Sequence, residues 1–300
     1  MRHSGKILVD PQSRRETLEH IAADFPYSAD FCDLHNYPGN TFPWHWHREI
    51  EIFYLREGRL EYHLPGGVTV FEAGEGGFLN SNVLHQTCCR AEDACLQEEQ
   101  QFAPELIGGF AGSRIMQKYV LPVVEAPWLD LVRLTPENPE HRPLLEALCR
   151  AYMLYDEQPE GFELELQRNL LAFWQGLYHL TAGRRQTESA PVNDHRIKQM
   201  LSFIAAHYGE KLELEEIAAA AYLSPRACGR CFQTQLGTTP FAYLMDYRVQ
   251  RACEQLAATD EPVGEIALRC GFGSSSYFGR IFREKTGLSP NEYRKAHRRP

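Results

Sequence analysis

Long hydrophobic runs are missing from this 300-residue chain. No stretch of 18 or more apolar residues occurs, which argues against a membrane-spanning helix. No charged head followed by a short apolar segment opens the chain, so a cytoplasmic protein is expected. A regular cysteine framework is also lacking. The nine cysteines, Cys32, Cys88, Cys89, Cys95, Cys149, Cys228, Cys231, Cys253 and Cys270, are odd in number and irregular in spacing, which points to reduced thiols. Cys228 and Cys231 form a lone C-x2-C with no second pair at suitable spacing, and read as packing residues. Excess positive charge is the third absence. A net charge of −9 argues against a protein that coats nucleic acid, but the charge is uneven. From Pro191 onward 15 Lys and Arg face 12 Asp and Glu, a net of +3, and the preceding 190 residues carry 16 against 28, a net of −12. An acidic front half and a mildly basic back half suit a sensor joined to a nucleic-acid reader.

What is present is a pattern written twice. The first copy runs Leu214-Glu215-Glu216-Ile217-Ala218, Leu223-Ser224-Pro225, Arg230-Cys231-Phe232, Leu236-Gly237-Thr238-Thr239-Pro240 and Tyr243. The second runs Val263-Gly264-Glu265-Ile266-Ala267, Gly271-Phe272-Gly273, Arg280-Ile281-Phe282, Thr286-Gly287-Leu288-Ser289-Pro290 and Tyr293. Two copies are too few for a solenoid and fit a duplicated small helical unit. Each copy reads as a helix-turn-helix. Ser224 and Ser274 are placed to cap a second helix, Pro225 suits its first position, and Gly271 supplies the turn. Phe232 and Phe282 anchor each second helix, leaving Arg226 and Arg230, and Ser275, Ser276 and Arg280, for a major groove about 12 Å wide. Arg230 and Arg280 fill equivalent slots and suit backbone positioning; Arg226 is the better candidate for reading bases. Between the copies Phe241, Leu244, Met245, Val249, Ala252, Cys253 and Leu256 recur at helical spacing, so one long helix joins the two units.

Glu265-Ile266-Ala267, Gly271-Phe272, Ser276-Tyr277-Phe278, Arg280-Ile281-Phe282, Thr286-Gly287-Leu288-Ser289-Pro290 and Tyr293-Arg294 resemble the DNA-binding domain of the AraC/XylS family of bacterial transcription regulators. The resemblance implies a transcription regulator that binds double-stranded DNA, engages RNA polymerase, and answers to a small-molecule effector. Activation is the commoner outcome in that family, and repression fits these residues equally.

The front half carries short alternating stretches. Arg59-Leu60-Glu61-Tyr62-His63-Leu64 reads as a half-buried strand, Pro65-Gly66-Gly67 as a turn, and Val68-Thr69-Val70-Phe71 as the returning strand. His45 and His47 share a face of an extended strand, and Glu51 keeps that parity. Gly39, His45, His47, Glu51 and Gly58 match the spacing of the first cupin motif. Gly74, Asn80, Asn82, His85 and Cys89 follow the second loosely, with Asn80 where proline is usual, Asn82 where glycine is, and Cys89 where asparagine is. The resemblance implies a mainly β jelly-roll barrel with an effector cavity inside it. By their position in the motif, His45, His47, Glu51 and His85 either ligate a divalent metal or line that cavity and hydrogen-bond a polar effector. Trp44 and Tyr62 are candidates for its aromatic wall, which suits a sugar or another small polar metabolite. A metal-dependent cupin enzyme is the rival reading. The departures in the second motif and the attached DNA reader argue against it.

The barrel is expected to finish with Cys95 to Phe102 and Arg114 to Val120. A short helix over Arg14 to Ala23 and irregular or extended chain from Phe25 to Pro38 are expected before it. Helices over Arg142 to Tyr155 and Phe162 to Leu180 follow, and the family resemblance implies that they form a homodimer. The expected division is a cupin-like domain over 1–138, a helical dimerisation region over 139–181, a linker over 182–194, and an all-α domain of two helix-turn-helix units over 195–300, opening with a helix from Ile197 to His207.

Overall fold

The computed structural model describes residues 8–9, 16–17, 24–65, 67–90, 92–126, 128–183 and 195–297. The strands are β1 (Leu8–Val9), β2 (Glu16–Thr17), β3 (Tyr27–Asp33), β4 (Thr41–His45), β5 (Ile50–Leu64), β6 (Gly67–Glu72), β7 (Gly76–Leu79), β8 (His85–Cys88), β9 (Cys95–Phe102) and β10 (Leu131–Leu134). β1 and β2 pair with each other, so Glu16–Thr17 is strand where a helix was expected; the rest of the expected helix over 14–23 lies outside the described residues. The other eight strands form one sheet organised by β5. Its first half pairs with β7 on one side and β9 on the other. After a bulge between Leu55 and Glu57, its second half pairs with β6 and β8. Gly58 sits just past the bulge at φ +82°, and a Cβ there would lie 1.7 Å from the Ala94 carbonyl oxygen, so only glycine lets β9 approach.

The expected jelly-roll barrel is not what forms. The sheet runs β10-β7-β5-β8-β4, with β6 and β9 branching from β5 and β3 beyond β9; among the described residues no pairing joins the ends into a ring. One reason lies in the segment expected to be the finishing strand. Arg114 to Val120 is helical, a π-helical turn over Met116–Val120 leading into a helix, and adds no strand. Ser113 Oγ accepts the Met116 N–H at 2.9 Å and starts it. The second reason is that helices cover the sheet face. After α1 (Glu105–Gly108) and α2 (Leu121–Val124), α3 (Arg142–Glu157) and α4 (Phe162–Leu180) pack Leu144, Leu148, Leu170 and Phe173 against Ile50, Ile52, Phe78 and Phe102. Gln100 Nε2 donates to the Leu148 carbonyl at 3.0 Å, tying the buried sheet face to α3. Each such side chain removed from water contributes about 1.5–3 kcal/mol, so this face needs no second sheet.

Residues 184–194, most of the expected linker, lie outside the described residues. The back half is helical: α5 (His195–His207), α6 (Leu214–Ala219), α7 (Pro225–Leu236), α8 (Pro240–Ala258), α9 (Val263–Arg269), α10 (Ser275–Thr286) and α11 (Pro290–His297). α8 serves two cores. Leu244 and Tyr247 pack with Ile217, Cys228 and Phe232, whereas Val249, Ala252, Cys253 and Leu256 pack with Ile266, Phe278 and Phe282. Between them the nearly buried Arg248 donates from Nε to the Tyr208 carbonyl and from Nη2 to the Glu210 carbonyl, both at 2.7 Å. The two halves touch. Trp44 and Leu84 share one apolar cluster with Ile197, Met200, Leu201 and Ile204 of α5. No helix among the described residues is long and apolar enough to cross a membrane.

Candidate functional site

The two helix-turn-helix units are built alike. Ser224 Oγ accepts the Ala227 N–H at 3.3 Å at the start of α7, and Ser274 Oγ accepts the Tyr277 N–H at 3.2 Å at the start of α10. α6 opens with a reciprocal cap between Glu213 and Glu216. Phe232 and Phe282 are fully buried beneath α7 and α10. Arg226 and Arg230 lie exposed four residues apart on α7; Ser275, Ser276 and Arg280 lie exposed on α10. A four-residue spacing puts Arg226 with Arg230, and Ser276 with Arg280, on single helix faces. Arg280 lies 5.4 Å from the centre of the Tyr277 ring, which steadies its guanidinium on an exposed aromatic. Tyr277 had no signal in the sequence beyond its place in the Ser276-Tyr277-Phe278 block of the family resemblance.

In the front half, β4, β5 and β8 bring His45, His47, Glu51 and His85 together although 40 residues separate the first from the last. All four side chains are buried, exposed by 3 % or less. Each imidazole leans on a backbone carbonyl through Nδ1: His45 on Pro43 at 2.8 Å, His47 on Glu49 at 2.8 Å and His85 on Val83 at 3.0 Å. With Nδ1 carrying the proton, each Nε2 presents a lone pair, as a metal ligand must. One ligand atom from each of the three histidines fits within 4.8 Å of the others. Glu51 Oε2 lies 3.1 Å from His47 Nε2 and 3.6 Å from His85 Nε2, and Glu51 Oε1 accepts the Tyr62 hydroxyl at 2.7 Å. Burial, then His85 and His47 beside it, push His45 well below the usual imidazole range. Burial works to raise Glu51, but His47 and His85 beside it, which donate from Nε2 when protonated, hold it well below the usual carboxylate range. A neutral imidazole and a carboxylate facing each other through lone pairs are satisfied by a cation or a proton between them. Three imidazole nitrogens and one carboxylate suit a first-row divalent metal.

The cluster is packed shut. His45 lies edge-on to Phe42 with ring centres 4.5 Å apart, and Tyr62 is stacked on Phe53 at 4.3 Å. Trp44 packs in one apolar cluster with Ile197, Met200, Leu201 and Ile204 of α5. Two hollows of molecular size lie elsewhere, at the junction of the halves. One of about 620 Å³ is walled by Arg48, Asn82, Glu105 and Asp130 of the front half and by Lys198 of α5. A more open one of about 710 Å³ is walled by Trp46, Asn82, Lys198 and Phe203. None of the cluster's histidines lines either. Sequence periodicity could not find Lys198, which stands off the apolar stripe of its helix and gains its place only when the halves dock.

Comparison with known proteins agrees with this architecture. A helix-turn-helix domain model matches residues 217–296 and a cupin domain model matches residues 35–96. The HTH-type transcriptional activator RhaS of Klebsiella pneumoniae is 39 % identical over 266 residues, covering 86 % of this chain and 89 % of that protein. This chain belongs to the AraC/XylS family of transcription regulators. A second relative, the uncharacterized HTH-type transcriptional regulator YdeC of Bacillus subtilis, is 27 % identical over 290 residues, covering 97 % of this chain and 99 % of that protein. Among solved structures, an AraC-type regulator from Chromobacterium violaceum is 30 % identical, covering 35 % of this chain and 95 % of that one, with a TM-score of 0.34. The chain is a DNA-binding transcription regulator with an N-terminal ligand-binding domain, and its histidine triad is a candidate metal site.

Proposed function

We propose that this AraC/XylS regulator activates transcription by setting α7 and α10 into successive major grooves of one DNA face, as a homodimer that recruits RNA polymerase when a small polar effector, of sugar type, occupies the front half. One observation carries the reading: a single helix, α8, contributes side chains to the cores beneath both α7 and α10, so the two units move as one body. Major grooves on one face recur about every 34 Å, a spacing that a rigid connector holds and a floppy one does not. The exposure of Arg226, Arg230, Ser275, Ser276 and Arg280 supports their contact with DNA, Arg226 to base edges and Arg230 and Arg280 to phosphates. The naming of relatives as transcriptional activators supports activation. The divisions at 138, 181 and 194 are part of this proposal. The closed packing around His45, His47, Glu51 and His85 supports assigning them to a divalent metal.

Selection of bound fragments from genomic DNA by the full-length protein tests the reading. The expected result is one motif with two half-elements about a helical turn apart, with affinity reduced at least tenfold in an Arg226→Ala, Arg280→Ala variant, the bidentate base contact of Arg226 accounting for about 1–3 kcal/mol and the phosphate contact of Arg280 adding to it. Enrichment of no motif by the folded protein, with or without pooled metabolites, would remove the proposal.

A further inference from the structure

The cavity of about 620 Å³ at the junction has the size of a small-molecule site, commonly about 300–1,000 Å³. Its polar wall includes Asn82 and, as its charged groups, Arg48, Glu105, Glu125, Asp130 and Lys198; Val83, Met116 and Leu129 supply apolar surface. The charges are mixed and slightly acidic, two cations against three carboxyl groups. Arg48 is already paired with Glu105. Glu105 Oε2 is nonetheless buried with no hydrogen-bond partner among the described residues, an acceptor that a ligand hydroxyl can satisfy. Lys198 Nζ donates to the Asn82 carbonyl at 2.5 Å and lies 5.0 Å from the centre of the Trp46 ring. Burial lowers it to about 8 against the opposing pull of Asp130. An ammonium has three donors, so Lys198 keeps capacity for a further acceptor. A free anion would gain Lys198 and meet three carboxyl groups. A neutral molecule with several hydroxyls both donates and accepts, and lays its C–H faces on the apolar wall.

We propose that this junction cavity seats the effector, a neutral polyhydroxylated molecule of monosaccharide size, and that Lys198 is the residue through which the DNA-binding half senses it. The proposal rests on the reading of the chain as an effector-controlled regulator, and adds where the effector binds and how its presence is passed on. Among the described residues lining the cavity, Lys198 alone comes from the back half. Its neighbours Ile197, Met200 and Leu201 hold α5 against Trp44 and Leu84. The same docking brings α7 against β5, and the end of α10 against Gly39, where a Cβ would lie 3.9 Å from the Lys285 carbonyl oxygen. Both recognition helices therefore rest partly on the front half in this arrangement. A molecule bridging Lys198 and Glu105 binds the docked and undocked arrangements with different affinity, and so shifts the balance between them.

The test uses the full chain and two probe sets: neutral pentoses, hexoses, deoxyhexoses and hexitols in one, and the corresponding aldonic acids and sugar phosphates in the other. Binding is read by thermal shift and then by calorimetry, and DNA affinity is read with and without each binder. The variants are Ala111→Trp, which fills the cavity from an exposed turn, and Lys198→Met, which keeps bulk and removes the ammonium. A neutral probe should bind the parent protein and change its DNA affinity. Both variants should weaken that probe at least tenfold while melting as the parent does without ligand, and Lys198→Met should abolish its effect on DNA. A neutral probe that binds both variants within twofold of the parent overturns the cavity and leaves effector control standing. Binding by acidic probes only overturns the ligand class. Binding by neither set, with DNA affinity unchanged throughout, defeats effector control by these classes and this inference with it.

Discussion

Tyr222 and Gly271 occupy the same slot in the two helix-turn-helix units and meet its demand unequally. Both have left-handed backbone, φ +55° at Tyr222 and +77° at Gly271. At Gly271 no side chain fits: a Cβ would stand 2.5 Å from the Tyr208 carbonyl oxygen and 2.8 Å from the Arg248 guanidinium. Tyr222 is 92 % exposed and has room, so its cost is the backbone strain, about 1–2 kcal/mol for a residue with a Cβ. Gly271→Ala is therefore expected to destabilise the full chain by about 2 kcal/mol or more, because strain and clash add and the buried Arg248 pairing is disturbed. Tyr222→Gly should leave stability unchanged or raise it by less than about 1 kcal/mol, the relief of strain being offset by the entropy of glycine. Urea titration of the two variants side by side checks both. Equal losses would mean that crowding around the two slots is the same. The repeat made these slots visible from the sequence. It could not show which was crowded, because the crowding atoms come from residues 208 and 248.

At the scale of elements, the histidine cluster joins three strands, and β4 is an edge held in the sheet only through β8. A metal bound by His45, His47, His85 and Glu51 would staple β4, β8 and β5 together. Chelator-stripped protein is accordingly expected to melt higher on adding zinc, nickel or manganese, by the equivalent of about 2.7 kcal/mol at a hundredfold excess over the dissociation constant. The gain should shrink as pH falls, because protons compete for the Nε2 lone pairs. Since burial pushes His45 well below the ordinary imidazole range, that loss is expected on the acid side of about 6.5 rather than at it. His85→Ala should remove it. A flat response to all three metals would make the cluster a hydrogen-bonded core. The motif placed these four residues in the sequence; their Nδ1 anchors on residues 43, 49 and 83 emerged only with the backbone. The helix over Arg114 to Val120 was misread as strand for a physical reason. Its β-branched and aromatic content suits either state, whereas Met116, Val120 and Val123, at spacings of four and three, are buried together against α4. The expected barrel fails with it, since the finishing strand it needs is absent from the described residues and no strand pairing there closes the sheet.

For the whole molecule, α4 presents Leu164 and Leu171 at 76 % and 41 % exposure, seven residues apart, and α3 presents Met153 at 41 %. Residues seven apart lie on one helix face, and an apolar stripe left outside suits a second copy of the chain. A Leu164→Glu, Leu171→Glu variant is expected to shift the protein from dimer to monomer in sedimentation at micromolar concentration and to weaken binding to paired half-sites while single half-sites are bound as before. An unchanged dimer would place the interface elsewhere.

The sequence by itself determined the two helix-turn-helix units, the long helix between them and the residues of the histidine cluster. Those rest on local periodicity, capping and motif spacing, which neighbouring residues settle among themselves. Only the tertiary structure decided that the sheet stays open, that the three histidines and Glu51 are buried side by side, and that Lys198 joins Glu105 and Asp130 in the wall of one cavity at the junction. Those outcomes depend on which faces bury against which, and contacts between residues a hundred positions apart leave no local pattern in the chain.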